Sequence, residues 1–165
     1  MNRSGTAQEY PRPGLFVLAA ILALAGLADS IYLTVSHLTG ESVACVASSG
    51  CSEVLSSSYS HIGPIPLGAI GALGYFTAFS LATLAAFGFA RARTFLTVMV
   101  AGMLATTLWL FYVQAFILHA FCDFCLLSAG LTLSLSLIVA IAWVTARNQQ
   151  NAMKRTPGRN PDLSL

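Results

Sequence analysis

The sequence predicts an all-α integral membrane protein: a four-transmembrane-helix bundle with a short helical outward loop between helices 1 and 2. Three observations predict it. Only 8% of the 165 residues are charged and 56% are hydrophobic, whereas an ordinary soluble domain is about 25% charged. Four long apolar stretches divide the chain, and all the lysines and arginines fall in segments on one side of them. A chain this short leaves much of its surface outside any core. Eight basic and six acidic residues cannot make that surface polar, so lipid must solvate it.

The stretches run from Leu15 to Ser36, Leu67 to Ala90, Thr94 to Leu118 and Phe121 to Thr145. Each exceeds the roughly 20 residues that cross about 30 Å of hydrocarbon as a helix. Backbone groups in lipid must be satisfied within the segment, so these stretches are helices. The first contains Asp29, the second and third carry no charge, and the fourth has only Asp123 near its start. Arg3 and Arg12 ahead of an apolar run ending Ala25-Gly26-Leu27-Ala28 also suit a cleaved signal peptide. The run resumes at Ile31 and is then long enough to span, which favours a retained helix.

Arg3 and Arg12 precede the first span, Arg91 and Arg93 join the second to the third, and Arg147, Lys154, Arg155 and Arg159 follow the fourth. By the positive-inside rule both termini and the 2–3 connection are cytoplasmic. The long 1–2 loop and the tight 3–4 turn at His119 and Ala120 then face the extracytoplasmic side. A net charge of +2 without a basic groove excludes nucleic acid as a partner.

Residues 1–14 read as a polar cytoplasmic lead, residues 15–146 as the membrane domain and residues 147–165 as a disordered cytoplasmic tail. Ser52 to Ser58 suits a short helical turn, with Val54 and Leu55 dipping toward lipid. Gly63-Pro64-Ile65-Pro66 suits a bend before the second span, since proline is tolerated at a helix's first turn. Gly68, Gly71 and Gly74 recur at spacing three. Close helix packing explains such glycines, and close approach of a cofactor is the alternative.

Chemistry resides in four cysteines, Cys45, Cys51, Cys122 and Cys125, all on the outward side of a topology derived from basic residues alone. That side is oxidising. Cys122-Asp123-Phe124-Cys125 opens the fourth span. Residues at i and i+3 share a helix face, so a disulfide there forms and breaks with little movement. A helix N-terminus favours a thiolate and activates it; Asp123 opposes this. Cys125 lies one turn deeper, about 4.5 Å along the axis, so one thiol faces the aqueous side and the other the bundle. This arrangement suits transfer of electrons from soluble thiols to a lipid-soluble acceptor.

Zinc would need all four thiolates in a closed tetrahedral cage, and the separation of Cys45 and Cys51 is wide for that, so no metal is expected. A thioredoxin fold needs strands alternating with helices, and no such pattern exists. Cys45 and Cys51 lie in a loop rich in serine, alanine and glycine. They form either a static staple or a shuttle pair that relays exchange to Cys122 through mixed disulfides.

Together these residues resemble the vitamin K epoxide reductase family, in its bacterial disulfide-forming branch, over roughly Ala28 to Gly130. The resemblance rests on Asp29-Ser30-Ile31-Tyr32-Leu33-Thr34, the Cys45/Cys51 loop, Ser57 six residues after Cys51, Gly63-Pro64-Ile65-Pro66-Leu67-Gly68, and Cys122-x-x-Cys125. It implies a four-helix bundle in an inner (cytoplasmic) membrane, built around a quinone (ubiquinone or menaquinone) and capped by the outward, periplasmic loop. By motif position Cys122 and Cys125 are the active-site pair, with Cys125 facing the quinone and Cys122 exchanging with Cys51. Cys45 takes electrons from the partner thiol, and Ser57 matches the family's loop hydroxyl that supports the quinone site.

Many bacterial members carry a fused thioredoxin-like domain. Its absence from these residues implies a separate periplasmic thioredoxin-fold (DsbA-like) partner. The animal enzymes place a tyrosine where this chain has Ala129 and an asparagine in the second span, which has none here. Both departures favour an unmodified quinone over vitamin K epoxide.

Asp29 and His119 are possible auxiliary residues. Intramembrane acids are functional by default, although snorkelling from near the helix end explains Asp29 equally well. His119 suits proton handling or a plain interfacial position. Trp109, Phe111, Tyr112, Gln114 and Phe116 lie in the outward half of the third span, where some could line a quinone pocket and aromatics normally anchor. Three functions compete: a thiol oxidase that reduces quinone to support disulfide formation, a reductase serving quinone recycling, and a non-catalytic scaffold with structural disulfides.

Overall fold

A computed structural model describes residues 13–40, 50–57 and 59–155. Cys45, most of the N-terminal lead and the last ten residues lie outside the described residues. Four helices are long and apolar enough to cross a membrane: Pro13–Thr39, Leu67–Ala86, Ala90–Leu118 and Asp123–Gln149. The protein is thus a multi-pass membrane protein. Its outward-facing shell of leucine, isoleucine, valine and phenylalanine would be untenable in water, with Leu73, Phe95, Val98 and Leu137 all more than 60% exposed.

Helix α1 (Pro13–Thr39) starts on a proline, whose missing N–H costs nothing in a first turn. The short α2 (Cys51–Ser56) follows in the loop. His61–Ile62 and Ile65–Pro66 then form a minimal antiparallel hairpin, Ile62 opposite Ile65. The sequence suggested only a bend here. Gly63, with φ +62°, takes the left-handed first position of the two-residue turn.

α3 (Leu67–Ala86) ends four residues before the boundary drawn from hydropathy. Gly88, at φ +100°, closes a Schellman motif: its N–H donates to the Ala85 carbonyl at 3.1 Å, and the Phe89 N–H to the Leu84 carbonyl at 3.2 Å. α4 (Ala90–Tyr112) therefore takes Arg91 and Arg93 into its first turn. It continues as a π-helical turn, Val113–Leu118, ended by His119 in the left-handed conformation, φ 50°. α5 (Asp123–Arg155) starts two residues later than expected and runs on through Arg155. The segment beyond residue 146 read as a tail is thus helical for its first half, since Arg147 to Arg155 interrupts hydrophobicity but not helix propensity.

The bundle has two unlike halves. Toward the arginines it is closed by small residues: Ala19 and Ala23 of α1 meet Ala78, Ala82 and Ala85 of α3, with Leu96, Leu135 and Val139 filling between them. Small side chains let helices approach closely where lipid supplies no hydrophobic drive. Toward the cysteines the helices part around a cavity of about 430 Å³. Gly68 and Gly71 pack on Ser30 and Thr34 of α1, where a Cβ at Gly68 would stand 2.8 Å from the Thr34 hydroxyl, while Gly74 sits beneath Met99 and Met103 of α4. All three glycines also border the cavity, so close packing and cavity lining coincide.

Gly26 admits the buried ring of Tyr75, which a Cβ there would overlap. Tyr75 cannot retreat, because its hydroxyl is held at 2.9 Å by the Ser128 carbonyl and at 2.7 Å by the Thr132 hydroxyl. Gly26→Ala is therefore expected to destabilise the detergent-solubilised protein by about 1–3 kcal/mol, the usual cost of overpacking. Gly102→Ala, which meets nothing within 4 Å, should leave the melting temperature unchanged or slightly raised. Equal effects of the two would contradict this packing.

Candidate redox-active site

The site is assembled at the start of α5. Cys122 precedes the helix and acts as its N-cap: its carbonyl accepts the Leu126 N–H at 2.9 Å, and its sulfur accepts the backbone N–H groups of Phe124 and Cys125. These are the N2 and N3 donors that a capping side chain satisfies. The Cys-x-x-Cys spacing is also that of a capping box, in which the N3 side chain reaches back toward the cap. Here Cys125 does so with its thiol, donating to Cys122 Sγ.

That hydrogen bond from Cys125 is the main reason the Cys122 thiol, just ahead of the membrane-spanning segment Asp123–Gln149, is lowered to about 7. Burial opposes the shift, the two backbone N–H groups reinforce it, and the Asp123 charge opposes it. At neutral pH a large fraction of Cys122 is thiolate, the nucleophilic form.

The helix geometry of Cys122-x-x-Cys125 predicts that Cys122 faces water. It is fully buried instead, because α2 lies over it. Cys51, Val54, Ala120 and Cys122 form one buried cluster, with Leu118, Phe124 and Cys125 packed around it. Gly50 makes this seat possible. A Cβ at that position would stand 2.7 Å from the Phe121 carbonyl oxygen and 2.9 Å from its nitrogen, so only glycine lets the start of α2 lie on the 3–4 turn. Cys51 is disulfide-bonded, whereas Cys122 and Cys125 are free thiols.

Beyond Cys122 the path leads inward. Cys125 borders the cavity, as do Ser57, Val54 and Leu55 from the lid above it. Val54 and Leu55 thus face the cavity rather than lipid: the loop helix lies across the bundle mouth, and this turns its apolar face down. The Ser57 hydroxyl donates to the Val54 carbonyl at 2.7 Å and closes the end of α2.

Two buried acceptor atoms near Cys125 have no hydrogen-bond partner among the described residues: Oδ2 of Asp29 and Oε1 of Gln114. Asp29 is 9% exposed and acts electrostatically on Cys125. It does not snorkel, since α1 continues for ten more residues to Thr39 and keeps it inside the bundle. Gln114, from the π-helical turn, is hydrogen-bonded to Cys125 and lines the cavity. His119 is exposed and does not line it; its contribution is the left-handed backbone that ends α4. Trp109, Tyr112 and Phe116 lie on the exposed face, with Tyr112 stacked on Phe116 at 5.0 Å, and Phe111 borders the cavity.

Sequence reasoning missed Gly50 and the Tyr75–Ser128–Thr132 cluster at the cavity's deep end. A glycine directly before Cys51 and a tyrosine inside an uncharged span were the available signals.

Two outcomes follow from this geometry. With Cys45 and Cys125 both replaced by serine, the remaining Cys51 and Cys122 should cross-link spontaneously on non-reducing gels, and adding Gly50→Val should suppress the cross-link by lifting α2. In the reduced Cys45→Ser/Cys51→Ser protein, ultraviolet thiolate absorbance should rise with pH through a midpoint near 7. Cys125→Ala removes the donated hydrogen bond and should shift that midpoint upward, and Asp123→Asn should shift it downward.

The sequence model of the vitamin K epoxide reductase family matches residues 17–140. The match takes in the second and third spanning segments whole, most of the first and fourth, the lid and both inner cysteines, and covers most of the chain. This protein belongs to the vitamin K epoxide reductase family.

Proposed function

We propose that this membrane oxidoreductase oxidises a periplasmic thioredoxin-fold partner of the DsbA-like kind and supports disulfide bond formation. Electrons pass through Cys45/Cys51, then Cys122/Cys125, to a membrane quinone, ubiquinone or menaquinone. One observation carries the reading: Cys51, in a disulfide, shares a buried cluster with the Cys122 thiol, whose hydrogen-bonded neighbour Cys125 borders the cavity. Sulfur chemistry is thereby continuous from the loop to an apolar chamber in the bundle.

Each residue has a role in this scheme. Cys45 receives the partner's thiolate. Cys51, once freed, exchanges with Cys122 through a mixed disulfide, as thiol–disulfide relays do. The N-cap of α5 holds Cys122 as thiolate, the better leaving and attacking group at neutral pH. α2 keeps water from the inner pair. The dithiol state of Cys122 and Cys125 is the one that has received two electrons and has yet to discharge them.

The cavity fits a quinone ring. Its volume of about 430 Å³ falls in the range of small-molecule sites, roughly 300–1,000 Å³. Its walls are mostly apolar, and Cys125 and Ser57 border it at the lid end. A quinone bound there would supply a two-electron acceptor that takes up two protons as the Cys122–Cys125 dithiol becomes a disulfide. Ala129 leaves the wall one turn below Cys125 apolar, which supports an unmodified quinone.

Anaerobic quinone reduction by the purified protein in detergent, with dithiol as donor, tests the reading. Catalytic reduction is expected, collapsing to background in Cys125→Ala. A wild-type rate equal to the uncatalysed rate with both ubiquinone and menaquinone analogues would remove the enzyme reading and leave a scaffold.

A further inference from the structure

Gln114 is the least expected residue at the site. The π-helical turn Val113–Leu118 ends α4 and buries two successive residues, Val113 and Gln114, while Tyr112 and Phe116 on either side stay exposed. The Ala120 N–H closes the turn onto the Gln114 carbonyl at 3.3 Å. Single π turns inside α-helices recur at functional sites because the extra residue per turn re-aims a side chain. Here the re-aimed side chain is a carboxamide, 6% exposed, hydrogen-bonded to Cys125 and lining the same cavity.

Which way the amide points follows from the thiols. The Cys125 hydrogen goes to Cys122 Sγ, which already collects two backbone N–H groups. Cys125 then has only lone pairs to offer, so Gln114 must present its Nε2–H to that sulfur. Its Oε1 is left buried, on a residue lining the cavity, without a partner among the described residues. Leaving a buried acceptor unsatisfied is costly, so a hydrogen-bond donor entering the cavity is stabilised at this oxygen.

Nearby hydroxyls do not supply one. Ser57 donates to the Val54 carbonyl at 2.7 Å, Ser60 to the Ser57 carbonyl at 2.8 Å and Thr106 to the Gly102 carbonyl at 3.1 Å. Tyr75 is engaged with Ser128 and Thr132.

We propose that Gln114 makes the cavity selective for the hydroquinone over the quinone: its Oε1 accepts the ring hydroxyl's hydrogen, while its Nε2 holds Cys125. An oxidised ring presents carbonyl oxygens, which are acceptors and leave Oε1 unpaired; the reduced ring presents O–H groups, which satisfy it. Gln114 is thereby a specificity residue that reads the redox state of the ligand. The assignment rests on the cavity being a quinone site. Preferring the reduced form favours reduction of the bound ring, and a tenfold preference raises the potential of the bound two-electron couple by about 30 mV.

Equilibrium binding tests this apart from turnover. The Cys122→Ser/Cys125→Ser protein keeps hydrogen-bonding groups at both positions and removes the redox chemistry. By anaerobic calorimetric titration it should bind ubiquinol-1 about tenfold more tightly than ubiquinone-1, the worth of one buried hydrogen bond. Adding Gln114→Met should bring the ratio near one by weakening ubiquinol-1 alone. Adding Gln114→Glu, whose protonated carboxyl retains an acceptor, should keep the preference. Equal affinities in the parent, an undiminished preference in Gln114→Met, or equal weakening of both ligands would overturn the role of Gln114 and leave the quinone reading standing. Binding of neither ligand, with no quinone reduction by the wild-type protein, would overturn both.

Discussion

The hydrogen bonds that close the first turn of α5 onto the Cys122 sulfur set the terms for the rest of the site. A helix that begins at a membrane surface leaves N–H groups without intrahelical partners. Serine or aspartate usually satisfies them. In this protein a sulfur does, so the need to terminate the helix also favours a thiolate. Because the second cysteine stands at N3, its thiol completes the cap. The cysteine pair is therefore part of helix initiation, and the i, i+3 spacing places both sulfurs in the cap.

Everything above that turn keeps the sulfur dry. Gly50 lets α2 rest on the backbone of Phe121 and the methyl of Ala120, and Val54 packs with Cys51 and Cys122 in one buried cluster. Everything below it provides a chamber. The alanine-rich half of the bundle is tightly packed and closes the floor, while glycines at positions 68 and 71 of α3 admit the side chains of α1 beside the cavity. Tyr75 fastens α3 to α5 at the cavity's deep end through Ser128 and Thr132. The protein is closed toward its arginines and hollow toward its cysteines, which concentrates polar chemistry at one end of a lipid-solvated bundle.

Membership of the vitamin K epoxide reductase family and the membrane-spanning architecture are direct findings. The electron path through the cysteines, the thioredoxin-fold partner and the quinone are the reading that best joins buried Cys51, thiolate Cys122 and cavity-lining Cys125. The selectivity assigned to Gln114 depends on an unpaired amide oxygen, whose orientation follows from the amide's hydrogen bond to Cys125.

Hydropathy and the placement of Arg and Lys sufficed for four helices, because lipid demands long apolar segments with satisfied backbones and because basic residues are counted easily. The paired cysteines were legible because thiol chemistry needs particular residue types at particular spacings, whereas Ser57 stood out only through the family resemblance. Helix ends were less legible. The stop at Ala86 depends on a left-handed Gly88 rather than on hydropathy, and α5 outlasts its apolar stretch because Arg147 to Arg155 change polarity without breaking the helix. Only the tertiary structure could decide which polar residues meet. Gln114 reaches Cys125 through a π-helical turn that shifts the helical register by one residue, an offset no α-helical periodicity contains. Asp29 and Tyr75 acquire their neighbours from helices distant in sequence, and the burial of Cys122 depends on a lid seated by a single glycine. Segment type is a local property of composition, whereas partnership at a site is set by how the segments pack.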